Sequence, residues 1–326
     1  MPRDERRLVL VLGPGRSGTS TMAGALAHSG FAVPDPIEAE ESNPAGFFEP
    51  RWVNDFHLDL LERADVRPLD SDPDATEAVE PLLADDETRD RLRTWLAAQL
   101  DKHDRLVIKD PRLVWFRRLW VGVAEELGQA PASVIMLRHP SEVSSSRSEF
   151  YQSRATTAVA GWVNVALLAE RVTRGSARAL VRYPDLTADW RTTLGRVRDA
   201  LGLRLEPGPD DAPHPADDFI DAGLRRREPG WDDPADPARL HALADAVFAA
   251  LGETADDDNP GQSARLDALA GEYAALHAEA LDVVRHHVMR ERRQARRARR
   301  RKAEERWATR DPEMQPTAEQ PRRRSS

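Results

Sequence analysis

The chain has 326 residues, 40% hydrophobic and 32% charged, with a formal net charge of −9, enough for one large α/β core and an appendage. It has no cysteine, which excludes disulfides, thiolate zinc sites and a cysteine nucleophile and argues against an oxidising compartment. No run approaches 18 apolar residues, and the basic start MPRDERRLVLVLG leads into a loop motif instead of a cleavage site, so a cytoplasmic, soluble protein is expected.

In chain order, four short runs rich in Val, Leu and Ile read as buried strands: 8–12, 105–109, 133–137 and 178–182. Helical patterns lie between them at 18–29, 86–100, 117–127, 156–174 and 188–201, the last closed by Gly202. The alternation predicts a three-layer α/β/α fold around a mostly parallel sheet, with ligands beyond the carboxyl ends of the strands. The segment EPGPDDAPHPADD at 206–218 is a loop, and one more helix is expected over 235–251. Leu266, Leu269, Tyr273, Leu276, Ala280 and Val283 then form a heptad stripe, suited to the body or to a second copy. It runs into RERRQARRARRRKAEER. Residues 285–326 hold fifteen Lys and Arg against six Asp and Glu, a net of +9, which leaves −18 on residues 1–284. The expected organisation is an α/β domain over 1–230, a helical extension with an acidic linker over 231–258, a long heptad and basic helix over 259–308, and a disordered tail over 309–326.

The stretch LVLVLGPGRSGTSTMAGAL, residues 8–26, runs a strand through a glycine turn into a helix, as a phosphate-binding loop does. On the pattern GxxxxGK[ST], Gly13 and Gly18 are in place and Ser20 closes the motif. Thr19 stands where the lysine should be, and the cation is Arg16. Backbone N–H groups from Gly15 to Ser20, the helix dipole and the hydroxyls of Ser17, Thr19 and Ser20 still make an anion cradle. Without the lysine that reaches a β/γ pair, it suits one phosphate with a short extension.

GPGRSGTS resembles the loop of the sulfotransferases that use 3'-phosphoadenosine 5'-phosphosulfate (PAPS), in their bacterial and carbohydrate-type branch. The resemblance implies that the loop holds the 5'-phosphosulfate and that Arg16 neutralises the bridging oxygen. In MLRHPSEVSSSRS it implies that Arg138, at the third strand's end, and Ser146, eight residues on, bind the 3'-phosphate; a guanidinium fork suits a terminal phosphate. It places Tyr183, in RYPDLTADW, near the adenine, with packing alone as the other reading, and sets Lys109, Asp110 and Arg112 of VIKDPRLVWF near the reaction centre. The resemblance covers about residues 7–203. The chain departs from it in having Thr21 at an adenine-stacking position, no histidine after Lys109 and no late glycine-rich segment; AGLRRRE at 222–228 reads as a solvated arginine run first, with Arg225 or Arg226 as substitutes for that segment the other reading.

The implied activity is transfer of a sulfuryl group from PAPS to a hydroxyl of a carbohydrate, glycolipid or other small acceptor. Arg16, the loop amides and Lys109 would cover the developing charge, with no metal. Glu49, in NPAGFFEPRWVNDFH, is the first candidate for the base, since Phe47, Phe48 and Trp52 would desolvate its carboxylate and raise its pKa. Asp110 and His57 follow it, Asp110 having a paired structural charge as its other reading. Trp52, Trp115 and Trp120 would offer faces to a sugar or pack in the core. Residues 262–306 are open to a homodimer contact or to peripheral attachment at the inner membrane face, and no specific nucleic-acid binding is expected. The competing functions are a nucleotide kinase using Mg-ATP and a non-catalytic PAP or polyanion binder.

Overall fold

The computed structural model describes residues 7–40, 46–151, 155–220, 230–231 and 237–308. Four strands, β1 (Leu8–Leu12), β2 (Leu106–Lys109), β3 (Ala132–Leu137) and β4 (Arg178–Arg182), form one sheet in the order β2-β1-β3-β4, every pair parallel. The four expected runs are these strands, each within a residue at its start. Chain order reverses at β1, whose neighbours are β2 and β3, so the crevice at their carboxyl ends is where a ligand of such a sheet sits.

The central strand shows why two helical layers are needed. Leu8, Leu10 and Leu12 join one core and Val9 and Val11 the other, because side chains alternate along a strand and both faces are apolar. The second core is closed by α1 (Thr19–Ala27), α8 (Tyr183–Ala188) and α9 (Trp190–Leu201). The first is closed by α2 (Arg51–Ala64), α3 (Ala75–Leu83), α4 (Asp86–Lys102), α5 (Leu113–Glu126) and α7 (Ala155–Arg171), while α6 (Pro140–Tyr151) follows β3 and packs on α7. In α2, Val53, Phe56, His57, Leu60 and Leu61 keep the i, i+3, i+4, i+7, i+8 spacing of one buried face.

The expected break near residue 230 does not coincide with a break in packing. Helix α10 (Ala238–Asp256) places Leu240, Leu243, Ala244, Val247 and Leu251 in the first core, and the start of α11 (Pro260–Ala308) adds Leu266, Leu269 and Tyr273. The chain divides instead into Met1–His277 and Ala278–Ser326. Four of the six stripe residues, Leu266, Leu269, Tyr273 and Leu276, are therefore spent inside the first unit, where Tyr273 donates to the Ser71 carbonyl with a short hydrogen bond. In the second unit Val283, Val284, Val288 and Met289 are exposed within a basic helix. Among the described residues no helix is long and apolar enough to cross a membrane. Residues 309–326, Arg225 and Arg226 lie outside the described residues.

Candidate active site

The loop after β1 leaves the sheet at Gly13, with φ 135° and the Met136 carbonyl oxygen 2.7 Å from where a Cβ would stand, so only glycine passes beside β3 here. Ser17 N–H donates to the Pro14 carbonyl at 3.1 Å and closes the turn. Arg16 is a non-glycine residue at φ 75°, the kind of backbone strain that collects at functional loops. Helix α1 then starts after Gly18 with no side-chain cap and no acidic residue in its first turn. Its first N–H groups lack intrahelical acceptors and carry the positive end of the helix dipole. The Ser17 hydroxyl is fully buried and has no hydrogen-bond partner among the described residues. An anion seated on this loop would supply the missing acceptor.

The structure brings the second motif onto the first. Arg16 Nε donates to Ser146 Oγ at 3.0 Å, and Arg138 Nη1 donates to the Arg16 carbonyl at 3.2 Å. Arg138 Nε is 3.4 Å from Glu142 Oε2, one helical turn on, and its guanidinium carbon lies 4.8 Å from the centroid of the Tyr183 ring. That ring in turn lies against Gly18, where a Cβ would come within 2.1 Å of Tyr183 Cδ2. Loop, strand end and Tyr183 make one wall. Sequence reasoning passed over Arg147, whose Nη1 is 3.8 Å from the Cβ position of Gly15; its place directly after Ser146 was the available signal.

On the other side of β1, Lys109 at the end of β2 is buried and reaches Ser20 Oγ at 3.0 Å, the Phe47 carbonyl at 3.2 Å and Glu49 Oε1 at 2.5 Å. Glu49 arrives on a sharply turned segment, with Gly46 at φ 93° and Phe48 at φ 53°, just before α2. Its second oxygen is 3.3 Å from Asn54 Nδ2 and 3.4 Å from Arg112 Nη2. The expected apolar jacket of Phe47, Phe48 and Trp52 is thus replaced by two cations at the carboxylate itself.

Asp110 is fully buried and forked by Arg112, with Nε at 2.7 Å from Oδ1 and Nη2 at 2.5 Å from Oδ2. Burial would raise its carboxyl, but the Arg112 charge and the neighbouring His57 overcome it and hold it well below the usual carboxylate range. His57 is also fully buried, accepts from Trp120 Nε1 at Nε2 (2.8 Å) and stands 3.4 Å from Asp110 Oδ1 through Nδ1. Trp115 and Trp120 keep 4% and 0% of their surface, and Trp52 stacks on Phe56 and Trp95. All three are packing residues, and none of them presents the sugar face considered above.

The two buried groups set an acid-side instability. Burial pushes His57 below its ordinary 6.5, partly offset by Asp110, so the unfolded chain takes up a proton the folded chain refuses and stability falls as pH drops below about 6.5. Half-buried His28 and His139, lowered by burial as well, act in the same direction. The depressed Asp110 contributes stability present above its ordinary 3.8 and lost as pH falls through the lower folded value. Denaturant midpoints from pH 8 to 4 should therefore decline from about 6.5 downward, and His57→Leu should flatten the slope by up to about 1.4 kcal/mol per pH unit.

No family model matches the chain, and no curated protein does. Among solved structures it is similar to a sulfotransferase domain of the Synechococcus olefin synthase, at 18% identity over 80% of this chain and 98% of that one with a TM-score of 0.41. It is also similar to a sulfotransferase domain of the curacin biosynthetic pathway, at 15% identity over 74% and 98%, again with a TM-score of 0.41. Likenesses of this size assign no function to the chain.

Proposed function

We propose that the protein transfers a sulfuryl group from PAPS to the hydroxyl of a small acceptor. The observation that carries this reading is the convergence of two distant motifs: Arg16 meets Ser146 at 3.0 Å, and Arg138 meets the Arg16 carbonyl at 3.2 Å, around a loop with a buried, unsatisfied Ser17 hydroxyl. A lysine-free cradle beside a second, arginine-bearing anion position fits a nucleotide with one 5'-phosphate extension and a separate 3'-phosphate.

In this reading the loop from Gly15 to Ser20 and the start of α1 hold the 5' end, while Arg138 and Ser146 hold the 3'-phosphate. Tyr183, fixed between Gly18 and Arg138, borders the nucleoside. When bound, PAPS supplies a sulfuryl group activated by its phosphate leaving group. Arg16, within the loop, and Lys109, at the end of β2 and in contact with Ser20, are the cations assigned to the charge that develops on leaving oxygens. Glu49 takes the acceptor's proton. It retains 6% exposure, whereas Asp110 and His57 have none, so of the three candidates it is the one an acceptor can touch. Asp110 is the structural charge that orients Arg112. A carbohydrate or glycolipid hydroxyl remains the acceptor class to screen first.

Calorimetric titration tests this reading, with PAP (3'-phosphoadenosine 5'-phosphate), adenosine 5'-phosphosulfate and Mg-ATP as ligands. PAP should bind without added metal and in the presence of a chelator, and Arg138→Ala should weaken it by about 10- to 100-fold, the value of a charged bidentate contact. No preference for the 3'-phosphorylated nucleotide would sink the reading, and tighter Mg-ATP binding with phosphoryl transfer would replace it with a kinase.

A further inference from the structure

The polar chain behind Glu49 is longer than proton transfer alone requires. Trp120 Nε1 donates to His57 Nε2, so the ring proton of neutral His57 is on Nδ1, which faces Asp110 Oδ1 at 3.4 Å. The same Asp110 oxygen accepts from Arg112 N–H at 2.6 Å and Arg112 Nε at 2.7 Å, and Arg112 Nη2 closes on Glu49 Oε2 at 3.4 Å. Lys109 holds the other Glu49 oxygen at 2.5 Å. Every side chain in the series is buried, and His57 is packed between Phe116, at 5.0 Å and nearly parallel, and the edge of Trp120.

Buried ion pairs are poor sources of net stability, because desolvation cancels most of the Coulomb gain. Geometry is what such a chain supplies: Arg112 has many rotamers, and the Asp110 fork leaves it one. Asp110 in turn sits two residues from Arg112 on the turn after β2, with His57 Nδ1 3.4 Å behind its Oδ1, close enough to bear on its orientation although the pair falls outside hydrogen-bond geometry. His57 is itself held in one tautomer by an indole N–H that has no other use for it.

We propose that His57 is a positioning residue for the reaction, fixing Asp110 and through it the Arg112 guanidinium that orients the Glu49 carboxylate. The inference rests on the sulfotransferase reading, with Glu49 as base. His57 never meets the acceptor, and its contribution is to keep Glu49 within the narrow geometry that a near-attack arrangement demands, where a displacement on the order of 1 Å costs about 10²-fold. The groups that bear on its charge are Asp110, Glu49 and Arg112, and the rings of Phe56, Phe116 and Trp120 enclose it.

Two measurements test it, the first on the wild-type chain alone. Nitrogen-15 NMR of the histidine rings should show one ring with Nδ1 protonated and Nε2 bare from pH 6 to 8; an Nε2-protonated ring at position 57, or one titrating near its ordinary 6.5, overturns the proposal. Second, His57→Leu should lower kcat by about 10²-fold with PAP affinity by calorimetry unchanged. His57→Asn, which keeps a donor toward Asp110, should recover a large part of that loss. Wild-type kcat in the leucine variant, or equal losses in both variants, overturns the proposal. Failure of the wild-type chain to bind PAP would instead bring down the sulfotransferase reading, and the ring result distinguishes the two failures.

Discussion

Glu49→Gln should lower kcat by about 10²- to 10⁴-fold, the usual contribution of a positioned general base, with PAP binding little changed. The amide keeps the length and the oxygen that Lys109 contacts at 2.5 Å, so the Lys109 and Ser20 side of the loop stays in place. What it loses is the ability to accept a proton. It also leaves Lys109 and Arg112 with less compensation in a buried setting, a cost of up to about 3–5 kcal/mol if neither relaxes toward solvent. Thermal unfolding must therefore accompany the kinetics, and Glu49→Asp, which keeps the charge at shorter reach, separates the two effects. A lost kcat together with a lowered melting temperature in the glutamine variant, and a melting temperature recovered in Glu49→Asp, is the expected set of results. An unchanged kcat in Glu49→Gln would take the base assignment away.

Gly18→Ala should reduce both PAP affinity and stability. The position has φ 90°, which costs an L-residue about 1–2 kcal/mol, and the new methyl would stand 2.1 Å from Tyr183 Cδ2 and 2.7 Å from Cε2. The tyrosine cannot swing away freely, because it is 4% exposed, begins α8 and lies under the Arg138 guanidinium. Moving it therefore disturbs the wall proposed above for the 3'-phosphate as well as the start of α1. A loss of at least about 2 kcal/mol is expected, equivalent to roughly 4–8 °C in Tm for a unit of this size, together with at least tenfold weaker PAP binding. Calorimetry and thermal unfolding on the same preparation read both. Native values for both would show that the contact between Gly18 and Tyr183 is not part of the site.

Much of the fold was legible before any coordinates. The runs at 8–12 and 178–182 are β1 and β4 residue for residue; β1 is a continuous apolar run because it is buried on both faces, whereas β4, at the sheet edge, buries only Val181. Gly202 is the left-handed cap of α9, with φ 61°, because few other residues adopt that conformation cheaply. The apolar runs do not mark helices α2 and α3. Proline within α3, at Pro81, and a mean polar character in α2 hide them from a reading by apolar runs, although the buried stripe of α2 is there to be counted.

For the site, the sequence by itself determined which groups could act: a phosphate-type loop whose cation is Arg16 instead of a lysine, an arginine and serine eight residues apart after a strand, and Lys109 with Asp110 and Arg112 at another strand's end. These are local patterns, and local geometry follows from them. Only the tertiary structure decided what each group meets. It turned Glu49 from a carboxylate among aromatic rings into one clamped by two cations, and made Asp110 a partner of Arg112. It also buried Trp115 and Trp120 and carried α10 and the first turns of α11 into the core. The physical reason is that a side chain's charge partners and exposure depend on which distant segments pack on it. The register of a parallel sheet brings residues 49, 109 and 112, or 16, 138 and 183, within a few ångströms, and no periodicity along the chain records those distances.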